Sequence, residues 1–241
     1  MRRRTYKITS IIVSALLLAG CQTRATVENS PRKVDQEITH IYLIGDSTVA
    51  DYTGDYDKGK DYMKARYPLA GWGQMFQSFF VRDQLADLQP GITTDSVQVL
   101  DKARGGRSTR TFFQEGRWRE VYENIQPGDY VLMQFGHNDG SEKHPDRFVT
   151  VQGYKEFLRL FINQTREKGG IPIILSPVAR NFPWKDGKLQ NVHGAYWQAP
   201  LQIAREMNAQ FIDLNKISLD YFNEKGREFV TENYFNHLQA G

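Results

Sequence analysis

The stretch that decides the fold is Ile41-Tyr42-Leu43-Ile44-Gly45-Asp46-Ser47-Thr48. Four apolar residues that end in a glycine predict a short buried strand. Polar residues follow this strand directly, and the carboxyl end of a strand is where α/β sheets bind their ligands. The stretch therefore predicts a buried strand with a candidate functional residue, Ser47, just beyond its end.

Strands and helices are predicted to alternate along the rest of the chain. The candidate strands are short apolar runs at 41–44, 97–100, 130–135, 171–175 and 211–214. The candidate helices cover 73–80, 153–168 and 197–207. Within the second helix, apolar side chains recur at helical spacing at Tyr154, Phe157, Leu158, Phe161 and Ile162. This alternation predicts an α/β fold with a parallel sheet covered by helices on both sides.

The N-terminus carries a targeting pattern. A basic segment, 1–7, precedes an apolar run, 11–18, which is too short to span a membrane comfortably. Cys21, the only cysteine, follows Leu-Ala-Gly. A lone cysteine is usually a buried core thiol, but this position resembles a bacterial lipobox. We therefore expect a signal peptide over 1–20, lipidation of Cys21, a polar tether over 21–37 and a folded domain over 38–241.

This pattern predicts a lipoprotein anchored in the membrane of the bacterial cell envelope. The signal peptide also affects the charge balance. The formal net charge of the chain is +3, and 1–20 contains four positive residues, so their removal leaves −1. The basic character of the whole sequence is therefore no argument for binding nucleic acid. The 40% of hydrophobic and 24% of charged residues are ordinary for a globular protein.

Polar blocks follow the first three predicted strands: Gly45-Asp46-Ser47-Thr48, Arg104-Gly105-Gly106-Arg107 and Gly136-His137-Asn138-Asp139. Each block alone has an ordinary interpretation. Gly-Asp-Ser is a common turn and helix cap, Gly-Gly is a common tight turn, and an asparagine often caps a helix. All three blocks together, each at the carboxyl end of a strand, favour a functional site.

These blocks supply the parts of a serine hydrolase. A serine hydroxyl is a poor nucleophile until a base takes its proton. Attack of Ser47 on an ester would form an oxyanion, which needs positioned hydrogen-bond donors. The Ser47 N–H, the Gly106 N–H and the side-chain amide of Asn138 are the candidate donors. A glycine at 106 lets the backbone approach the substrate without a Cβ in the way.

The chain resembles the SGNH hydrolases, and within them the rhamnogalacturonan acetylesterases. The resemblance rests on the three blocks above and on Gly71-Trp72-Gly73, Ser108-Thr109-Arg110-Thr111-Phe112, His193-Gly194-x-Tyr196 and Ile212-Asp213-Leu214. It implies a flavodoxin-like three-layer α/β/α fold, no metal or other cofactor, and removal of acetyl groups from an acetylated pectic polysaccharide. It also implies that Ser47 is the nucleophile and that Gly106 and Asn138 complete the oxyanion hole.

The chain departs from this family at the general base. The family uses a His preceded by Asp at the third position upstream, near the C-terminus. The residues at that position before the five histidines are Glu37, Gln134, Ser141, Gln190 and Tyr234. We therefore expect the sequence to stop short of the catalytic Asp and His and of the last helix. His237 is the fallback candidate for the base. His193 is expected to support a loop or to contact substrate.

Two other functions stay open at this point. A chain without a base is compatible with a surface carbohydrate-binding protein that lacks catalysis. An SGNH lipase or thioesterase is the second alternative, against which the polar loop 51–68 argues because it predicts a polar rim around the cleft. Four tryptophans are candidates for stacking on sugar rings or for the core: Trp72, Trp118, Trp184 and Trp197.

Overall fold

The predicted first strand is an inner strand of a five-stranded parallel sheet in a computed structural model of the protein, which describes residues 38–54, 56–80 and 96–234. The five strands are β1 (Ile38–Gly45), β2 (Ser96–Asp101), β3 (Tyr130–Gln134), β4 (Ile171–Leu175) and, after a hairpin of β5 (Trp184–Lys185) and β6 (Lys188–Leu189), β7 (Gln210–Ile212). They lie in the order β2-β1-β3-β4-β7, and every pair is parallel. This is the strand order of flavodoxin-like sheets, which confirms the predicted fold class.

Helices connect these strands. They are α1 (Tyr62–Ala65), a 3₁₀ helix (Trp72–Phe79), α2 (Thr109–Gln114), α3 (Arg117–Asn124), α4 (Val151–Glu167), α5 (Ala195–Glu206), α6 (Leu214–Lys225) and α7 (Arg227–Asn233). The predicted helix at 73–80 is therefore a 3₁₀ helix. The first two backbone amides of this helix donate to the turn after β1: Trp72 to the Thr48 carbonyl and Gly73 to the Val49 carbonyl, both at 2.9 Å. The two longest predicted helices correspond to α4 and α5.

The alternation of side chains along β1 divides the core into two. Tyr42 and Ile44 pack on one face, in a cluster to which α2, α3, α4 and α5 contribute their buried side chains. Ile41 and Leu43 pack on the other face, against Val49 and residues of the 3₁₀ helix and α6. Helices thus cover both faces of the sheet, as the sequence predicts.

The register of the strands aligns their carboxyl ends. Gly45 pairs with Gln134, Gln134 with Leu175, and Leu175 with Ile212. The residues that follow these positions in the chain therefore leave the sheet at one common edge. This edge carries the first and third polar blocks.

Several sequence predictions lie outside the described residues: the signal peptide, Cys21, the tether and the role of His237. They stay predictions. Over the stretches that the structure covers, no helix combines the length and the apolar character that crossing a membrane requires.

Candidate active site

The turn after β1 presents Ser47 at the carboxyl edge of the sheet. Asp46 is fully buried, and its Oδ1 accepts hydrogen bonds from the Thr48 N–H at 2.9 Å and the Thr48 hydroxyl at 2.8 Å. Its carbonyl accepts from the amide of Ala50 at 3.1 Å. This Asx-type turn reverses the chain and leaves Ser47 half-buried at the surface of a cleft. Asp46 is therefore a turn-forming residue that positions the serine.

Thr48 is also tied to the neighbouring strand. Its hydroxyl accepts a hydrogen bond of 2.5 Å from the Gln134 side-chain amide, and the oxygen of that amide accepts one of 2.9 Å from the Trp72 indole. A Cβ on Gly45 would lie 2.6 Å from the Gln134 carbonyl, which explains the glycine there. These contacts hold the serine turn against the end of β3.

The second polar block lies beside Ser47. A Cβ built on Gly105 would lie 3.6 Å from the Ser47 Cβ, so the two backbones are close. The Gly105 N–H donates to the Tyr56 hydroxyl at 2.9 Å. Gly106 has a φ of 78°, in the left-handed region that favours glycine. Space is not the constraint at Gly106, because a Cβ there would meet only Arg147, at 3.5 Å.

The third block connects to the second. The Asn138 side chain is buried to 8% exposure, and its amide donates to the Arg107 carbonyl at 2.9 Å, one residue after Gly106. The buried Asp139 carboxylate accepts from the amide and the hydroxyl of Thr109 at 3.0 and 2.5 Å. The start of α2 is thus held against the loop after β3. The structure therefore brings Ser47, Gly106 and Asn138 to one edge of the sheet, through loops that contact one another.

Burial perturbs two carboxyl groups of these turns. It raises the pKa of Asp46 to about 6, although the Thr48 hydrogen bonds and the charge of Arg180 oppose this rise. It also raises the pKa of Asp139 to about 7 against the hydrogen bonds from Thr109. The cause in both cases is the loss of hydration of the charged form. The described residues hold no group of three or more His, Cys, Asp or Glu side chains suited to a metal ion.

The cleft beside Ser47 has a volume of about 930 Å³. Tyr52 and Trp72 line it on the side of the serine, and apolar residues of the loop after β4 and of α6 form the other wall: Val178, Leu214, Ile217, Tyr221 and Phe222. This wall is apolar, whereas loop 51–68 contributes Tyr52, Arg66 and Pro68 to the lining of the cleft. The described aspartates of loop 51–68 serve local structure instead: Asp51 accepts from Thr53, Asp57 pairs with Arg66, and Asp61 caps α1.

Only one of the four tryptophans lines the cleft with Ser47, namely Trp72. Trp118 is 2% exposed and packs on Phe161 with ring centres 4.6 Å apart, so it belongs to the core. The Trp184 indole donates to Asn181, and the Trp197 indole donates to Asp213. Trp72 is therefore the tryptophan best placed to contact a sugar.

The described histidines occupy different places. His40 lies within the first half of β1 and bonds to the carboxylate of Asp129 at 3.2 Å, so it is at the far end of the sheet from Ser47. His193 is buried, and its Nε2 lies 3.0 Å from the Val178 carbonyl. Its ring meets that of His137 edge to face at 4.6 Å. Both rings line a side pocket of about 390 Å³ together with Arg180 and Tyr196.

The sequence patterns do not reveal the part that tyrosines play at this site. The Tyr52 hydroxyl donates to the Ser47 carbonyl at 3.1 Å, and its ring packs on that of Tyr56 at 4.6 Å. Tyr56 in turn accepts from Gly105. These two side chains link the serine turn to the glycine loop. No local pattern predicts this link, because it depends on how the loop after β1 folds over the edge of the sheet.

Comparisons with known proteins identify relatives of this chain. The sequence model of the GDSL-like Lipase/Acylhydrolase family matches residues 43–238. The chain is 38% identical to the probable rhamnogalacturonan acetylesterase YesY of Bacillus subtilis over 79% of this chain and 77% of that protein. It is 34% identical to the rhamnogalacturonan acetylesterase RhgT of the same organism, over 72% of this chain and 64% of that protein.

The crystal structure of protein YxiM from Bacillus subtilis is similar to the described fold. It superposes with a TM-score of 0.65 at 31% identity, over 81% of this chain and 49% of that protein. The chain thus spans about half of YxiM and about two thirds to three quarters of the two acetylesterases. The match of the family model over most of the chain, with the relative of 38% identity, shows that this protein belongs to the GDSL-like lipase/acylhydrolase family.

Proposed function

We propose that the protein is a carbohydrate esterase that removes O-acetyl groups from a pectic polysaccharide, with Ser47 as its nucleophile. The observation that carries the proposal is the meeting of three loops at one edge of the sheet. Ser47 lies beside the Gly105-Gly106 turn, and Asn138 is hydrogen-bonded to the next residue of that turn. The names of YesY and RhgT support an acetylated rhamnogalacturonan as the substrate class.

The chemistry follows from the placement of these groups. The Ser47 hydroxyl oxygen attacks the acetyl carbonyl carbon, its proton passes to a base, and the carbonyl oxygen becomes an oxyanion. The N–H groups of Ser47 and Gly106 and the Asn138 amide donate to this oxyanion. One N–H of the Asn138 side chain is used by the Arg107 carbonyl, which leaves the second for the oxyanion. The sugar hydroxyl leaves with a proton, and water then hydrolyses the acetyl-serine to acetate.

The proposal includes a base that the described residues do not identify. The ion pair of His40 with Asp129 lies at the far end of the sheet from Ser47. None of the five histidines of the sequence stands in an Asp-x-x-His pattern, and His237 is the fallback candidate for the base. The proposal also includes anchoring of the protein in the cell envelope through lipidated Cys21, on the basis of the sequence pattern 18–21.

Two functions compete with this proposal. A carbohydrate-binding protein without catalysis would have the same cleft but would release no acetate. The apolar wall of α6 is the observation that favours a lipase or thioesterase, because acyl chains bind to apolar surfaces. The names of the relatives favour the acetylesterase instead.

The test is acetate release from acetylated rhamnogalacturonan, with the mature protein expressed from its natural gene through its own stop codon. The parent protein should release acetate, and Ser47→Ala should remove nearly all of this activity. Ser78→Ala is the matched control, because Ser78 is exposed in the 3₁₀ helix and its hydroxyl donates to the nearby Met75 carbonyl. Equal acetate release by the parent and Ser47→Ala would exclude the proposed nucleophile. Faster release of long acyl chains than of acetate from p-nitrophenyl esters would favour the lipase.

A further inference from the structure

A second pocket, with a volume of about 420 Å³, lies next to the glycine loop that borders Ser47. Its lining residues are Tyr56, Asp57, Lys58, Lys60, Arg104 and Arg117. Four of these six side chains are cationic and one is anionic. The pocket takes no part in the acyl-transfer chemistry proposed above.

Two carboxylates that the structure describes beside this pocket, Asp57 and Glu115, are already paired with arginines. Asp57 accepts two hydrogen bonds from the Arg66 guanidinium, at 2.6 and 3.1 Å. Arg117 pairs with Glu115, which also pairs with Arg107. Within 38–54, 56–80 and 96–234, no ion pair involves Lys58, Lys60 or Arg104. The pocket therefore presents an excess of positive charge to a ligand.

Arg104 is held in place before any ligand binds. Its Nη1 donates to the Tyr56 carbonyl at 2.5 Å, and its guanidinium carbon lies 3.7 Å from the centre of the Tyr56 ring. This combination of a hydrogen bond and a cation–π contact fixes the guanidinium plane. A guanidinium fixed in this way loses little conformational entropy when it binds an anion.

The Tyr56 side chain joins this pocket to the nucleophile. A Cβ on Gly105 would lie 2.8 Å from the Tyr56 hydroxyl and 3.6 Å from the Ser47 Cβ. The hydroxyl end of Tyr56 is thus beside the serine turn, while its backbone carbonyl and the face of its ring contact Arg104. A polymer with one sugar at Ser47 would reach this pocket by passing Tyr56.

We propose that this pocket binds a carboxylate of an acidic sugar in the polysaccharide whose acetyl group lies at Ser47. Ammonium and guanidinium groups form charge-assisted hydrogen bonds with carboxylates, and pectic polysaccharides carry galacturonic acid. The pocket then selects acetylated acidic polymers over neutral ones and fixes which sugar lies at the serine. This inference rests on the proposed function, because the pectic polysaccharide is the substrate that is proposed there.

Binding measurements test the inference without depending on catalysis. Calorimetry compares deacetylated rhamnogalacturonan oligosaccharides with the same oligosaccharides after methyl esterification of their carboxyl groups. Methyl esterification should weaken binding to the parent protein. Lys58→Gln with Lys60→Gln should raise the Kd for the acidic ligand roughly threefold to tenfold, since exposed ion pairs contribute modestly. The double variant should distinguish the two ligands less than the parent does. It lacks the Lys58 and Lys60 ammonium groups, so esterification of the ligand carboxylates removes a smaller interaction.

The lysines are chosen because both are exposed and neither contributes an ion pair to the described fold, so their replacement should leave folding intact. Arg104 is left in place because it holds Tyr56 beside Gly105. The control is Lys155→Gln with Lys168→Gln, the same charge change on α4 and its C-cap, which lie against the other face of the sheet. This control should bind both ligands as the parent does.

Two results would overturn the inference: the same Kd for the acidic ligand in the parent and the Lys58/Lys60 variant, or equal binding of acidic and esterified ligands by the parent. Failure of the proposed function would appear elsewhere, as p-nitrophenyl acetate hydrolysis that is absent or insensitive to Ser47→Ala. Carboxylate-dependent binding without esterase activity would leave the pocket assigned and would contradict only the catalytic proposal.

Discussion

The side-chain amide of Asn138 donates a hydrogen bond of 2.9 Å to the backbone carbonyl of Arg107. These residues come from loops that follow different strands, β3 and β2. The bond fixes the amide next to Gly106, and it orients the second N–H of the same amide. The Arg107 carbonyl thus sets the position of the Asn138 amide. This amide and the N–H of Gly106, from the same loop as Arg107, are both proposed to donate to the oxyanion.

Asn138→Ala should lower kcat on an acetyl ester by roughly 10²–10³, the usual loss for one oxyanion donor. The KM should change much less, because the donor acts mainly on the charge that develops in the transition state. Steady-state kinetics on p-nitrophenyl acetate would measure both constants. Unfolding midpoints of parent and variant should be compared as well, since the variant also loses the bond to Arg107. An unchanged kcat would remove Asn138 from the oxyanion hole.

Asp46→Asn should change how stability depends on pH. Burial raises the pKa of Asp46 from its ordinary value of 3.8 to about 6, so the folded protein retains a proton that the unfolded chain releases. The stability that this group contributes is therefore complete below about pH 4 and is lost as the pH rises to about 6. The free energy of unfolding should therefore fall by on the order of 3 kcal/mol through this group.

The asparagine variant keeps the oxygen that accepts from Thr48 and cannot ionise. Its stability relative to the parent should therefore rise between about pH 4 and about pH 6. Denaturant unfolding at several pH values measures this difference, and subtraction of the parent removes the shared contribution of Asp101. A constant difference across this pH range would show that Asp46 has an ordinary pKa in the folded state.

Cys21→Ser should release the protein from the membrane fraction, because the serine cannot be lipidated. The prediction rests on the basic, apolar and Leu-Ala-Gly-Cys segments of 1–21. Fractionation of cells that express the parent or the variant, followed by immunoblotting, measures the distribution. If the variant stays in the membrane pellet as fully as the parent, the lipoprotein prediction is wrong.

His237→Ala should retain most of the esterase activity of the natural gene product, because the family places its base in an Asp-x-x-His pattern and Tyr234 stands three residues before His237. Loss of the true base would instead lower kcat by about 10⁶. Acetate release by parent and variant under identical conditions distinguishes the two cases. A loss of that size, with an unchanged unfolding midpoint, would identify His237 as the base.

The polar residues after the strands and the alternation of apolar runs can be identified in the sequence, because strand and helix periodicities are local. Ser47, Gly106 and Asn138 are therefore predictable, together with the parallel sheet that carries them. The Ser108–Thr111 capping box at the start of α2 is a further local signal, since both of its side chains lie within one turn of the helix.

Only the tertiary structure decided what surrounds these residues. Tyr56 contacts Gly105, and the apolar wall of α6 faces the cleft beside Ser47. Trp118 lies in the core, whereas Trp72 lies at the cleft. Each of these arrangements joins segments that are distant in the chain. The raised pKa of Asp46 likewise comes from burial, which no sequence motif records. The sequence by itself determined which side chains leave the sheet at its carboxyl edge, because β-strand geometry is local. Folding decided which of them meet, because loop packing depends on contacts across the whole sheet.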